Sequence, residues 1–307
     1  MYIGEMIRRI RKEMQITQEQ LAEGICSAST LSKIENGSQI PSRQTFEMLM
    51  ERLGEPDCTY NGYTSIRELE LYRLCGDVLE AMEFQELEQI EEKLWAIEHL
   101  VKQDNQREVQ ILELIQCLWM RMLLLPMQQM QETIVQQRFL QAFQLTQPQF
   151  DGWHTGENAR INRVEMLLLN NIGVSYYEQQ MYREALAIFL QLYQLHEKKM
   201  RYGKEYWKPK AGICGNLAIC TLALKMFDEA MYYCNKGLYC ARRDGNVMVC
   251  LNLLRSRAFA CLGQKDMDGY YKNIFLARSF YEVRPNQCYP DVTFDDYMKY
   301  PKVLLVF

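Results

Sequence analysis

The stretch "TQEQLAEGICSASTLSKIENG", Thr17 to Gly37, decides how the N-terminal part of this chain folds. Thr17 is followed three residues later by Gln20. That spacing lets the two side chains satisfy each other's backbone N–H groups at the start of a helix. Leu21 anchors the helix, and Gly24 ends it, since glycine enters the left-handed region without steric cost. Ile25 reads as a buried turn residue. Ser27 or Ser29 then caps a further helix, with Leu31 and Ile34 spaced to face inward. Asn36-Gly37 stops it. The outer face is left with Ser27, Ala28, Ser29, Thr30, Ser32 and Lys33. Small hydroxyl side chains approach base edges and phosphates without clash, whereas a helix that only meets water more often carries Glu and Lys there.

Working outward, Ile3, Met6, Ile7 and Ile10 stand at helical spacing upstream. The same helix carries Arg8, Arg9, Arg11 and Lys12, opposed nearby by Glu5 and Glu13. Such a cluster suits phosphate contacts. Downstream, Pro41-Ser42 begins a fourth helix with Phe46, Leu49 and Met50 as its apolar face. The segment "GEPDCTYNGYTS" is dense in turn residues and reads as a linker. Two short helices joined by a tight turn, with hydroxyls outward on the second, predict a helix-turn-helix.

The wording of this segment is specific. "IRRIRKEMQITQEQLA" followed by "STLSKIENGSQIPS" resembles the Xre/Cro-type helix-turn-helix across nearly all of residues 3–53. The turn is one residue tighter than the common form. It is similar to the version in the peptide-responsive regulators grouped as RRNPP, of the PlcR- and Rgg-like kind. The resemblance implies DNA contacts from Gln18, Ser27, Ala28, Ser29, Thr30, Ser32, Lys33 and Arg43. Where that group often carries a longer polar residue such as Gln, this chain has Ala28. Alanine cannot make a bidentate base contact but can touch a thymine methyl.

From Ser65 onward the pattern is helical throughout, in pairs. Ser65 to Leu79 precedes Phe84 to Val101. Glu108 to Leu125 precedes Met127 to Leu145, broken by Pro126. After the loop "TQPQFDGWHTGEN" come Arg160 to Gln179 with Tyr182 to Lys198, Trp207 to Leu224 with Phe227 to Arg243, and Val247 to Leu262 with Met267 to Tyr281. "NNIGVSYYEQQMYREALAIF" aligns with "GNLAICTLALKMFDEAMYYC" 45 residues later, and "RAFACLGQKDMDGYYKNI" follows 40 residues beyond that. The first copy resembles a tetratricopeptide repeat. Gly173 and Ala185 are its small contact residues, with Tyr176 and Phe189 filling the space between helices. The usual period is about 34 residues, so these repeats are longer. A helix pair cannot bury its apolar face alone, so pairs stack into a superhelix with a concave face.

Asn171 and Asn216 hold the same position in successive repeats, and Asn252 falls on the corresponding face of the next. In tetratricopeptide proteins an Asn at that position commonly holds the backbone of an extended peptide, as its amide both donates and accepts. The resemblance implies a peptide site formed by Asn171, Asn216, Asn252, Arg160 and Lys208. Arg163, Lys210 and Arg255 are further cations able to meet a carboxylate.

Composition narrows the alternatives. The chain has 307 residues, 48% hydrophobic, with only 16 Gly and 8 Pro, which favours helix. Its net charge of −4 excludes a wholly basic nucleic-acid binder but not a local basic patch. The 11 Cys are odd in number and include no C-x-x-C, so a disulfide framework is not expected. His99, His154 and His196 are far apart and make no metal-ligand spacing. No nucleophile–base pair or phosphate-binding loop is present, so neither a catalytic site nor a cofactor is expected. No apolar run approaches the roughly 20 residues of a membrane span, and the N-terminus lacks a secretory pattern.

The expected fold is all-α: a five-helix helix-turn-helix domain over residues 1–54, a linker at 55–64, an α-superhelix of tetratricopeptide-like hairpins over 65–285 and a tail at 286–307. The expected function is that of a cytoplasmic, non-enzymatic transcription regulator of the quorum-sensing kind. It would bind operator DNA as a homodimer and respond to a short signalling peptide. The alternatives are a regulator whose repeats only dimerise or bind a protein, and an interaction scaffold.

Overall fold

The computed structural model describes residues 3–53, 66–84, 90–123, 129–151, 161–199, 207–282 and 294, and every regular element among them is helical. The linker expected at 55–64 lies outside these residues, as does the tail expected at 286–307 apart from Phe294. The chain divides into two compact units: Met1–Leu74 with Arg160–Arg163, and Cys75–Ala159 with Val164–Phe307.

The first unit holds α1 (Ile3–Glu13), α2 (Gln18–Ala22), α3 (Ala28–Glu35) and α4 (Arg43–Arg52). A fifth helix, α5 (Ile66–Phe84), belongs to this unit as far as Leu74. Ile7, Ile10, Leu21, Leu31, Ile34, Phe46, Leu49 and Met50 form one buried cluster, with Ile16, Ile25 and Cys26 packed against it. The local signals act as expected. Thr17 Oγ1 accepts the Gln20 N–H at 3.2 Å and Gln20 Oε1 accepts the Thr17 N–H at 2.8 Å, closing the capping box. Gly24 and Gly37 have φ of 70° and 79°, so a side chain at either turn would be strained.

One ion pair ties these short helices together. Arg11 Nε and Nη2 on α1 donate to Glu35 at the end of α3, at 2.6 and 2.8 Å, and Nη1 donates to the Ile16 carbonyl. Gln18 Nε2 on α2 donates to the same carboxylate at 2.8 Å. Burial alone would raise the Glu35 pKa, but hydrogen bonds from Arg11 and Gln18 and the nearby guanidinium charges bring it below the usual carboxylate range. Arg52 donates to the carbonyls of Leu21 and Glu23, satisfying the open C-terminus of α2.

The second unit holds the rest of α5, then α6 (Ile90–Leu100), α7 (Gln106–Leu123), α8 (Gln129–Gln144), α9 (Arg163–Glu178, in this unit from Val164), α10 (Tyr182–Lys199), α11 (Trp207–Ala223), α12 (Phe227–Asp244), α13 (Val247–Gly263) and α14 (Met267–Glu282). The last three hairpins, α9–α10, α11–α12 and α13–α14, turn in the same way. Gln180, Lys225 and Lys265 each take the left-handed conformation, at φ of 62°, 60° and 63°. The next residue's N–H reaches back five residues: Met181 to Tyr176, Met226 to Thr221, Asp266 to Cys261, at 2.8–2.9 Å. These are Schellman-type helix ends, recurring at the 45- and 40-residue offsets of the sequence copies.

Packing within α9–α10 follows the small-against-large pattern. A Cβ on Gly173 would lie 2.7 Å from Phe189 Cε1, and Phe189 and Ala185 are fully buried. The first helix of each of these hairpins is buried almost all round: residues 165–175 of α9, 210–221 of α11 and 249–256 of α13.

Candidate functional site

The outer part of α3 is built by its own N-terminus. Ser27 is the N-cap: its Oγ accepts the Thr30 N–H at 3.0 Å. The same oxygen is within 2.9 Å of Ser29 Oγ and 2.8 Å of Thr30 Oγ1. Leu31 and Ile34 point into the core, which leaves Ser29 and Lys33 exposed and Ala28, Thr30 and Ser32 half-buried. The surface is short-armed, uncharged at its start and basic one turn later. Short side chains of this kind leave room for close approach to a nucleic-acid groove.

Not every residue expected at this interface is equally available. Ser27 is exposed, but its oxygen is committed to the cap. The Gln18 amide is half-buried and donates to Glu35. Arg11 is not part of a phosphate-binding cluster with Arg8, Arg9 and Lys12: its guanidinium is turned into the domain and spent on Glu35 and Ile16. The three other cations are exposed on α1. Arg43 opens α4, and its side chain lies outside the described residues.

The loop after α3 is ordered by its own hydrogen bonds. Asn36 Oδ1 accepts from the Ser38 N–H and hydroxyl, while the Ser38 and Gln39 N–H groups bond to the Lys33 carbonyl. Ser38, Gln39 and Ile40 are thereby held at the surface beside the end of α3, Ile40 at 64% exposure.

In the second unit the recurring asparagines have internal partners. Asn171 Nδ2 donates to the Leu167 carbonyl at 2.8 Å, and its Oδ1 accepts from Arg121 Nη1 at 2.8 Å. Asn216 Nδ2 donates to Asn170 Oδ1 at 2.9 Å. Asn171, Asn216 and Asn252 are all buried. In each of the two resolved cases the Asn bridges to the first helix of the preceding hairpin, α7 or α9. That is a physical reason for the shared register other than a ligand. Arg121 is the centre of the larger network: buried, it also donates to Glu132 at 2.6 Å and to Ser175, and lies over the Phe139 ring.

Of the cations expected near a peptide, Lys210 is buried and paired with Glu197, and Arg255 is fully buried. Arg163 is exposed. Arg160 and the Lys208 side chain lie outside the described residues. None of the described helices is long and apolar enough to cross a membrane.

Residues 7–57 match the family model described as Helix-turn-helix. No curated protein sequence matches the chain. Among solved structures the chain is similar to Bacillus thuringiensis PlcR in complex with the peptide PapR7 and DNA: 17% identity and a TM-score of 0.57, over 92% of this chain and 94% of that one. Weaker likenesses are to ComR from S. thermophilus in complex with DNA and its signalling peptide ComS (13% identity, TM-score 0.46, 97% of both chains) and to the Streptococcus dysgalactiae SHP pheromone receptor Rgg2 (15%, 0.44, 97% and 98%). The N-terminal domain is thus a helix-turn-helix. The chain as a whole has the all-helical fold of PlcR, with a tetratricopeptide-like body following that domain in sequence.

Proposed function

We propose that this chain is a sequence-specific DNA-binding transcription regulator, cytoplasmic and non-enzymatic, whose repeat domain receives a short peptide. The observation that carries the DNA reading is the surface of α3: a Ser27-capped start, Ser29, Ser32 and Lys33 turned away from the Leu31/Ile34 core, inside a matched helix-turn-helix. The PlcR structure of like fold is a complex with peptide and DNA, which supports both halves. A homodimer fits the reading, because one such module buries too little groove surface for tight specific binding, and two read two half-sites.

On the peptide side, Arg160 and Lys208 remain the proposed contacts. Asn171, Asn216 and Asn252 join them only if a peptide exchanges their internal hydrogen bonds for its own. Their burial favours a second reading as well: a repeat domain that serves association alone. The deciding experiment is a gel shift on DNA flanking the gene, with and without short peptides encoded nearby. Replacing Thr30 and Lys33 with Ala is expected to cost about 1–3 kcal/mol at the specific site and to flatten the salt dependence. Unchanged affinity in that double variant removes α3 from the interface. A DNA complex indifferent to every peptide favours the second reading.

A further inference from the structure

Two helices of the second unit turn unlike faces to solvent. On α6 the buried positions are Ile90, Leu94 and Ile97. Its open face carries Glu91, Glu92, Trp95, Glu98 and His99, all exposed, with Trp95 at 62%. The indole is held in place: the His99 ring lies 3.9 Å from it, and His99 Nδ1 is 2.8 Å from the Trp95 carbonyl. Glu98 accepts from Gln116 Nε2 at 2.7 Å. The face is therefore acidic around one ordered aromatic anchor.

On α12 the buried positions are Ala230, Cys234, Leu238, Cys240 and Ala241. The outer stripe runs Tyr232, Lys236, Tyr239, Arg243, steps of four, three and four residues along one side of the helix. Tyr232 is 51% and Tyr239 46% exposed. Each ring carries a cation over its face: Lys236 Nζ at 5.6 Å from Tyr232, Arg243 at 4.8 Å from Tyr239. This face is basic and aromatic.

We propose that two copies of this chain associate through these stripes, α6 of one protomer lying along α12 of the other and the reverse contact completing a two-fold pair. The two stripes share a period: Glu91, Trp95 and Glu98 repeat the first two steps, four and three, of Tyr232, Lys236 and Tyr239. They carry opposite charge and lie in one compact unit, so each copy offers both halves. A two-fold interface needs self-complementarity of this kind. Aromatic anchors supply the buried area, and the charge pattern fixes orientation and register. The inference rests on the homodimer named above but assigns its surface, which the DNA reading leaves open.

Sedimentation velocity on the full chain tests it. Variant A carries Glu91→Lys with Glu98→Lys, and variant B carries Lys236→Glu with Arg243→Glu. All four positions are exposed, so each variant is expected to melt as the wild type. Each alone places like charges in both contacts and is expected to weaken the dimer about tenfold or more. An equimolar mixture restores opposite charges in both contacts and is expected to recover wild-type association. Trp95→Ser with Tyr239→Ser, which alters no charge, is expected to weaken the dimer as well. Several results overturn the assignment. One is a wild type that stays monomeric, and others are variants that dimerise normally or a mixture that fails to recover. A dimer sensitive only to the exposed Tyr271 and Phe275 of α14 moves the interface there. Loss of nucleic-acid binding in variant B, with dimerisation intact, makes α12 a nucleic-acid face. Operator binding is measured alongside: an intact gel shift with a dimer indifferent to both variants removes this surface and leaves the DNA reading standing.

Discussion

Arg11 and its neighbours on α1 carry the same charge and do different work. Arg11 is bidentate to a buried carboxylate, whereas Arg8, Arg9 and Lys12 are exposed. Removing one partner of a buried pair leaves the other charge desolvated, so Arg11→Ala is expected to destabilise the first unit by about 3 kcal/mol or more. Arg8→Ala and Lys12→Ala are expected to leave the melting temperature alone and to reduce the salt slope of DNA binding. Calorimetry and titrations at several salt concentrations separate the two. A Tm loss from Lys12→Ala, or none from Arg11→Ala, contradicts the assignment. Asn171 poses the same question in the repeat domain. Its amide is used on both sides, by Leu167 and Arg121. Asn171→Ala is then expected to cost about 1–3 kcal/mol of stability, as Arg121 loses an acceptor it cannot replace with water. A variant that melts like the wild type but binds peptide weakly returns Asn171 to the ligand.

At the level of elements, the three hairpins of the second unit show how strictly a local rule repeats. The left-handed residue and the back-reaching N–H recur although the residues differ: Gln, Lys and Lys at the turn, each without a glycine. What does not tolerate substitution is the close approach inside α9–α10. Gly173→Ala places a methyl within 2.7 Å of Phe189. The ring is fully buried and cannot swing away, so a loss of about 1–3 kcal/mol is expected from overpacking. Thermal melts of Gly173→Ala check this, and Phe189→Leu in the same chain is expected to recover part of the loss. These features were legible beforehand, since the alignment that placed Gly173, Ala185 and Phe189 rests on helical spacing and residue size. The turn type was not, because no glycine marks it.

On the scale of the whole molecule, the two units are expected to respond to acid in different windows. Burial, aided by the Lys210 charge, holds the His196 pKa down to about 4 from its ordinary 6.5. The unfolded chain takes up that proton first, so the stability His196 confers is lost as pH falls from 6.5 and levels off near 4, a change on the order of 3 kcal/mol. Glu35 has a lowered pKa. Its contribution is complete above the ordinary carboxylate range and is lost only as pH falls through its lower folded value. The repeat unit is therefore expected to loosen at milder acidity than the helix-turn-helix unit. Hydrogen exchange resolved by segment, at pH 7, 5.5 and 4, tests the order, and His196→Phe is expected to flatten the earlier loss. The same division explains how far the sequence reaches. By itself it determined the helix-turn-helix, its caps and the last three hairpins, because each depends on residues three to five apart whose geometry the helix imposes. It ended α5 too early, expecting helices at 65–79 and 84–101 where Ile66–Phe84 and Ile90–Leu100 form, since no glycine or proline marks that boundary. Only the tertiary structure decided that Arg11 serves Glu35, 24 residues away, and that Asn171 serves Arg121, 50 residues away. In the sequence a basic cluster reads equally as a phosphate clamp or an internal ion pair, and two asparagines in register read equally as a peptide clamp or a bridge between hairpins. A polar side chain takes whichever partner burial brings to it, and that partner is set by how the helices stack, which no local spacing encodes.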